Sequence, residues 1–383
     1  MELLLKCGAN VNATGSNGES ALMWASSCGY LDVMQTLMDC GANVDMSDND
    51  GFTALTGAAG GNQVKAMINL VKRGASIDKT NNDGFTALMY ASSLGHVKSV
   101  RTLLQLGADP TACANDGATA LIFAAMGGFT ETAQALLDNV RGTSSSSSSS
   151  PTKTEKLSED QLEDYHTYLE ATTCGDEPVS ALSAASYGGH LDTVKMLLER
   201  GASVEYPDDD SKMPLMAAAS AGHSEIVRLL LEADPKSIDV TETSGRGGSS
   251  ALMKAALSGH SEVLRVLLEA GADPFKRDSQ NMSPLLAAIR GKHVECAKLL
   301  KAAMKKSQRL DDTGVRTEGK SGEEKEERES VRWAMLGEED ENDVTAKDLP
   351  TAPTLRDRQH ERNSRRAERG VECDVSCQGC VVS

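Results

Sequence analysis

Gly18, Gly51, Gly84 and Gly117 recur every 33 residues, each directly after an Asn or Asp (Asn17, Asp50, Asp83, Asp116). Each introduces a four-residue block: Ser20-Ala21-Leu22-Met23, Thr53-Ala54-Leu55-Thr56, Thr86-Ala87-Leu88-Met89 and Thr119-Ala120-Leu121-Ile122. The block leucine returns as Leu182, Leu215, Leu252 and Leu285, at intervals of 33, 37 and 33 after a gap of 61 from Leu121. A period of this length implies a small unit stacked many times, because one such unit cannot bury its apolar face alone.

The stretch from Asp83 to Pro110 predicts the content of a unit. Asn-Gly and Asp-Gly favour tight turns, since these residues tolerate positive φ. Thr86 is placed to cap a short helix on which Leu88 and Ala91 face inward. Small pairs at this position (Ala58-Ala59, Ala91-Ser92, Ala124-Ala125, Ala218-Ala219, Ala255-Ala256) let neighbouring helices approach closely. Gly95-His96 ends the first helix, and Val97, Val100, Leu103 and Leu104 give a second one its apolar face. Gly107 suits a left-handed helix end, and Pro110 stops any continuation.

These motifs resemble the ankyrin-repeat family. Its Thr-Pro-Leu-His block stands here mostly as Thr/Ser-Ala-Leu-Met, with the proline kept in Met213-Pro214-Leu215-Met216 and Ser283-Pro284-Leu285-Leu286. Its Gly-His pair is at Gly95-His96, Gly189-His190, Gly222-His223 and Gly259-His260, and Lys292-His293 is a variant. Its Leu-Leu-x-x-Gly-Ala block occurs at 4–9, 103–108, 197–202 and 267–272. The resemblance covers residues 1 to about 302 and implies an all-α repeat solenoid, each unit a β-turn plus two antiparallel helices. About eight repeats follow an N-terminal half-repeat: four over 1–140, a Ser-rich insertion over 141–176, four more over 177–302, and a tail over 303–383. The last unit lacks its Gly-Ala turn, carrying Met304-Lys305, as expected of a terminal cap.

Ser144 to Ser150 is an unbroken serine run, which reads as flexible linker. After it, Ser158 and Gln161 form a capping box, and Leu162, Tyr165 and Leu169 share one face of a short amphipathic helix. That helix is expected to pack on the solenoid edge; the sharper alternative is a detachable lid or docking element. A second, milder irregularity is the longer tip at Thr241 to Gly248. From Glu323 to Asp343 ten acids stand against three bases, a composition that predicts disorder, with a small apolar island at Val331, Trp333, Ala334 and Leu336.

The chain ends Cys380-Val381-Val382-Ser383, the C-a-a-X prenylation pattern, in which a final serine points to farnesyl. One prenyl chain binds membranes only marginally, so a second signal is expected. Cys373 and Cys377 are candidates for palmitoylation, and the arginines between Arg356 and Arg369 for anionic lipid. The same arginine run allows a nuclear localisation signal instead. Gly314 to Ser321 spells the phosphate-loop pattern, but that loop needs a buried strand before it and a helix after it. Gln308-Arg309-Leu310-Asp311-Asp312 is no such strand, and Glu323-Glu324 would repel phosphate.

Only 13 of the 383 residues are aromatic, so their placement is informative. Trp24, Tyr90 and Phe123 share one first-helix position, Phe52 and Phe85 follow turn glycines, and Tyr187 lies on a later first helix. By the family resemblance, turn tips and first helices form the binding surface. These six then line a partner groove, with Asp48, Asp50, Asp83, Asp116 and Asp209 as an acidic rim suited to a basic or amphipathic peptide. The net charge of −17 argues against nucleic acid, because phosphate affinity comes from Lys and Arg. No apolar run approaches the length of a membrane span. Five of the seven histidines fall at one repeat position and are expected to be structural. Nine cysteines, an odd number, argue against a secreted disulfide scaffold. The expectation is a non-enzymatic adaptor with no cofactor, metal or small-molecule substrate. It binds protein through the solenoid and is tethered through Cys380 to the cytoplasmic face of a membrane. The alternative is a soluble cytosolic or nuclear regulator.

Overall fold

The structure is a computed structural model and describes residues 8–140, 159–174, 178–204, 214–235 and 249–311. Among these residues the secondary structure is helical apart from isolated bridges that close the turn tips, such as Ser47 with Thr53 and Cys113 with Thr119. The helices form eight pairs, each a first helix followed by a second. They are α1 (Ala21–Cys28) with α2 (Leu31–Asp39), α3 (Ala54–Gly60) with α4 (Val64–Lys72), α5 (Ala87–Ser93) with α6 (Val97–Gln105), and α7 (Ala120–Met126) with α8 (Thr130–Val140). A single helix, α9 (Glu159–Leu169), intervenes. Then come α10 (Ala181–Gly188) with α11 (Leu191–Glu199), α12 (Pro214–Ala221) with α13 (Ser224–Ala233), α14 (Ala251–Ser258) with α15 (Ser261–Glu269), and α16 (Pro284–Arg290) with α17 (Val294–Asp311).

The first helices are seven or eight residues long, too short to persist alone in water. Caps and packing hold them. Ser20, Thr53, Thr86, Thr119, Ser180, Ser250 and Ser283 each accept, through the side-chain oxygen, the N–H three residues on. The core is two repeating layers. From the first helices come Leu22, Leu55, Leu88 and Leu121 with Ala25, Ala58, Ala91 and Ala124; from the second helices come Met34, Met67 and Val100 with Leu37, Leu70, Leu103 and Leu136, all buried. Alanine at the contact lets successive first helices stack directly. The same arrangement continues through Leu182, Leu215, Leu252 and Leu285.

Two sets of hydrogen bonds run between neighbouring units. At the tips, Asn49 N donates to Asn17 O at 3.0 Å, Asn82 N to Asp50 O at 3.0 Å, Asn115 N to Asp83 O at 3.0 Å and Cys174 N to Asp116 O at 2.5 Å. At the far end of the first helices, the histidines behave as expected for structural groups. Nε2 of His96, His190, His223, His260 and His293 donates to the carbonyls of Gly60, Met126, Tyr187, Ser220 and Leu257, at 2.9–3.1 Å.

The long interval between Leu121 and Leu182 does not break the stack, because α7 packs directly on α10. Helix α9 packs against α8, on the second-helix side of the array. Tyr165 Oη donates to the Arg200 carbonyl at 3.4 Å, and Arg200 pairs with Asp138 of α8 at 2.8 Å. The buried face of α9 is Tyr165, Tyr168 and Leu169, whereas Leu162, expected on that face, is 43% exposed. Tyr168 turns inward one position before Leu169, and its burial raises its hydroxyl pKa well above the ordinary phenol range. The chain then rejoins the repeat. Glu170 accepts the Ser203 N–H at 2.8 Å, as Asp45 accepts that of Ser76 and Asp78 that of Asp109 three and two units earlier. Ser158 and the side chain of Gln161 lie outside the described residues, as do the serine run and the tip at 241–248.

The last pair differs from the expected boundary at 302. A positive-φ glycine follows the second helix in five pairs, at Gly41, Gly74, Gly107, Gly201 and Gly271, whereas Val140 and Asp234 hold that position in two others. Met304 stands where that glycine would, and α17 runs on to Asp311.

The turn glycines combine two demands. Gly18, Gly51, Gly84 and Gly117 have φ of 80–89°, and a Cβ on Gly84 would lie 2.7 Å from Asn115 N in the next tip. We expect Gly84→Ala to destabilise the array by at least about 1–2 kcal/mol, from the left-handed backbone alone. The check is the shift of the urea midpoint; an unchanged midpoint would show that the tips do not need this approach.

Candidate partner-binding groove

The candidate surface is built by the tips and the exposed side of the first helices. In the second tip, Asp48 N donates to Phe52 O at 2.9 Å, and Asp48 Oδ1 accepts from Asp50 N at 3.1 Å and Phe52 N at 2.8 Å. In the third tip Asn81 makes the same set with Asp83 and Phe85. Phe52 and Phe85 are therefore each held through both N–H and carbonyl, the N–H by a side-chain oxygen and the carbonyl by a backbone amide, and Asp48 does turn work that asparagine does equally well. Asp116 Oδ1 accepts from Ala118 N at 3.0 Å. Asp50, Asp83 and Asp116 are exposed, and each contributes its carbonyl to the tip ladder. Of the expected rim, Asp209 lies outside the described residues.

The tip ladder sets the spacing at which aromatics meet. Phe52 pairs with Tyr90 at a ring-centroid distance of 5.5 Å, and Phe85 with Phe123 at 4.7 Å, both tilted. In each case a tip ring rests on a first-helix ring of the next unit. Both geometries fall within the range in which aromatic pairs attract beyond simple burial. Gly60 makes room for this arrangement, since a Cβ there would stand 2.4 Å from Tyr90 Cε1.

Trp24 joins the first pair through a cavity rather than a stack. A cavity of about 260 Å³ is lined by Glu19, Met23, Trp24, Ser27, Asp48, Phe52, Thr53, Thr56, Gly57 and Tyr90. It exists because the first-helix series reads Trp24, Gly57, Tyr90, Phe123: the second unit has no side chain where its neighbours have rings. Glu19 likewise occupies the tip position held by Phe52 and Phe85. Neither Glu19 nor Gly57 was singled out by composition or pattern. The signal is the gap itself, a glycine at a position that carries a ring in the other three of the first four repeats.

Tyr187 is not part of this cluster. It stands three residues beyond the aromatic column, at the helix position whose carbonyl feeds the histidine ladder, and is 62% exposed. Met126 and Leu257 are exposed at the same position in other units. The candidate lipidation residues Cys373, Cys377 and Cys380 lie outside the described residues, as do Trp333, the arginine run and Gly314 to Ser321. Among the described residues no helix is long and apolar enough to cross a membrane.

The Phe85–Phe123 pair is expected to show a coupling of about 0.5–1.5 kcal/mol in a double-mutant cycle of Phe85→Ala and Phe123→Ala. Additive effects on stability would mean the rings only share a surface.

A family model for ankyrin repeats, spanning three copies, matches residues 1–81, 43–114, 161–244 and 233–312. No curated protein sequence matches the chain. Among solved structures, the crystal structure of the human ASB11 ankyrin repeat domain is similar, at 22% identity and a TM-score of 0.49 over 66% of this chain and 98% of that one. The family matches together span 1–114 and 161–312, well over half of the sequence, and the chain belongs to the ankyrin-repeat family.

Proposed function

We propose that this protein is a non-enzymatic adaptor whose solenoid binds a protein partner and whose tail sets its location. Ankyrin repeats generally mediate protein–protein interaction, and that much follows from family membership. The finer reading, a groove for a basic or amphipathic segment, is supported by one observation above others. Rings from four successive units fall into two groups, Trp24, Phe52 and Tyr90 around one cavity and Phe85 against Phe123. Exposed Asp50 and Asp83 stand at the same tips. Aromatic side chains are typical interface anchors, and acids beside them favour a basic partner. Affinity capture from cell extract with the full chain tests this. Tyr90→Ala combined with Phe123→Ala should abolish capture while leaving helicity unchanged by circular dichroism. Undiminished capture would place the binding surface elsewhere.

The location rests on sequence alone. Cys380-Val381-Val382-Ser383 supports farnesylation of Cys380, with Cys373, Cys377 or the arginines from Arg356 to Arg369 as second signal at the cytoplasmic face of a membrane. The arginine run also supports the second reading, a soluble cytosolic or nuclear regulator. Fractionation of wild type and Cys380→Ser separates the two. The anchored reading expects the wild type in the membrane fraction and the variant in the supernatant; equal solubility of both ends it.

A further inference from the structure

We propose that the cavity over Gly57 seats a single basic side chain, the guanidinium of an arginine or the ammonium of a lysine, projecting from the bound segment. This rests on the groove reading above and adds to it the chemistry of the anchor.

The cavity is a vacancy with a defined chemistry. Gly57 belongs to its lining, Trp24 and Tyr90 to the flanking first helices, and Phe52 comes from the tip. Two carboxylates, Glu19 and Asp48, belong to the lining, and none of the ten lining residues is basic. Both backbone donors to the Asp48 side chain land on Oδ1, which leaves Oδ2 for a ligand. Glu19 is half-buried and puts a carboxylate where the next two units put a ring.

Such a lining selects by charge. Aromatic faces attract a cation within about 6 Å of the ring centroid, Trp most strongly. A carboxylate adds a charge-assisted hydrogen bond to a guanidinium or ammonium. An acidic occupant is repelled by both. A purely apolar occupant would strip water from two carboxylates and give nothing in return, which is costly. A long basic side chain satisfies all parts at once, its methylene stem against the rings and its charged head at the acids.

Variants that leave the fold intact are available. A Cβ on Gly57 would make only ordinary contacts, 3.5 Å to Met23 O and 3.5 Å to Ser27 Cβ, so Gly57→Leu fills the cavity while improving helix propensity. Asp48→Asn keeps the turn, because Asn81 makes the same bonds in the next tip. Combined with Glu19→Gln, it removes charge without changing shape.

The test uses a random peptide library displayed on phage and panned against the full chain. The expected result is a set of peptides sharing one Arg or Lys. Their affinity falls about tenfold or more with that residue replaced by norleucine, with Gly57→Leu, and with Glu19→Gln plus Asp48→Asn. Peptides that lose binding with Tyr90→Ala plus Phe123→Ala, yet need no basic residue and tolerate Gly57→Leu, overturn the anchor and leave the groove standing. Failure to select any peptide sensitive to Tyr90→Ala plus Phe123→Ala overturns the groove, and the anchor with it.

Discussion

The rest of the array depends on how closely one tip can approach the next. The amide of Asn82 reaches the Asp50 carbonyl, and that of Asn115 the Asp83 carbonyl, only because the intervening corner is a glycine at positive φ with no side chain in the way. This contact fixes the pitch of the repeat. At that pitch the first helices touch through Ala25, Ala58, Ala91 and Ala124, and the leucines fall into continuous layers. Asparagine completes the joint, since Asn49, Asn82 and Asn115 also donate through their side chains to the carbonyls of Ser16, Asn49 and Asn82. The histidine bonds do the same at the other end of the first helices wherever the repeat carries a histidine, so the joints at Gly60–His96 and Met126–His190 are held at both edges.

The groove chemistry is a by-product of this pitch. Where Phe follows the turn glycine, its ring lands beside the first-helix ring of the following unit. That explains why Phe52 meets Tyr90 and Phe85 meets Phe123 although each pair is 38 residues apart. The groove aromatics sit outside the repeating core, whose layers are built largely of leucine and alanine, and the low aromatic content of the chain follows from that division.

Most of the repeat architecture was legible because each signal is local and occurs many times. Turn glycines, Ser/Thr caps, the Leu/Ala helix face and the Gly-His pair repeat with the period, and each copy supports the others. What was less legible occurs once. Nothing repeats for α9, so no second copy indicated that Tyr168 and not Leu162 turns toward the array. At the end of the array Met304 takes the place of the glycine, and α17 continues to Asp311. Grouping Tyr187 with the other aromatics missed a shift of three positions, enough to move it to the end of its helix. The cavity over Gly57 shows in the sequence only as a gap, a glycine between Trp24 and Tyr90 in the first-helix series, and not as any residue that draws attention by its own chemistry.

The direct packing of α7 on α10 separates two kinds of continuity in this molecule. Along the covalent chain these helices are divided by more than fifty residues; within the solenoid they are immediate neighbours. The stack is therefore indifferent to what the chain does between Val140 and Glu159. A break in the polypeptide there would leave both halves presenting complementary Leu/Ala faces, tip amides and a His190 partner to each other, so the joint belongs to the surfaces and not to the linkage.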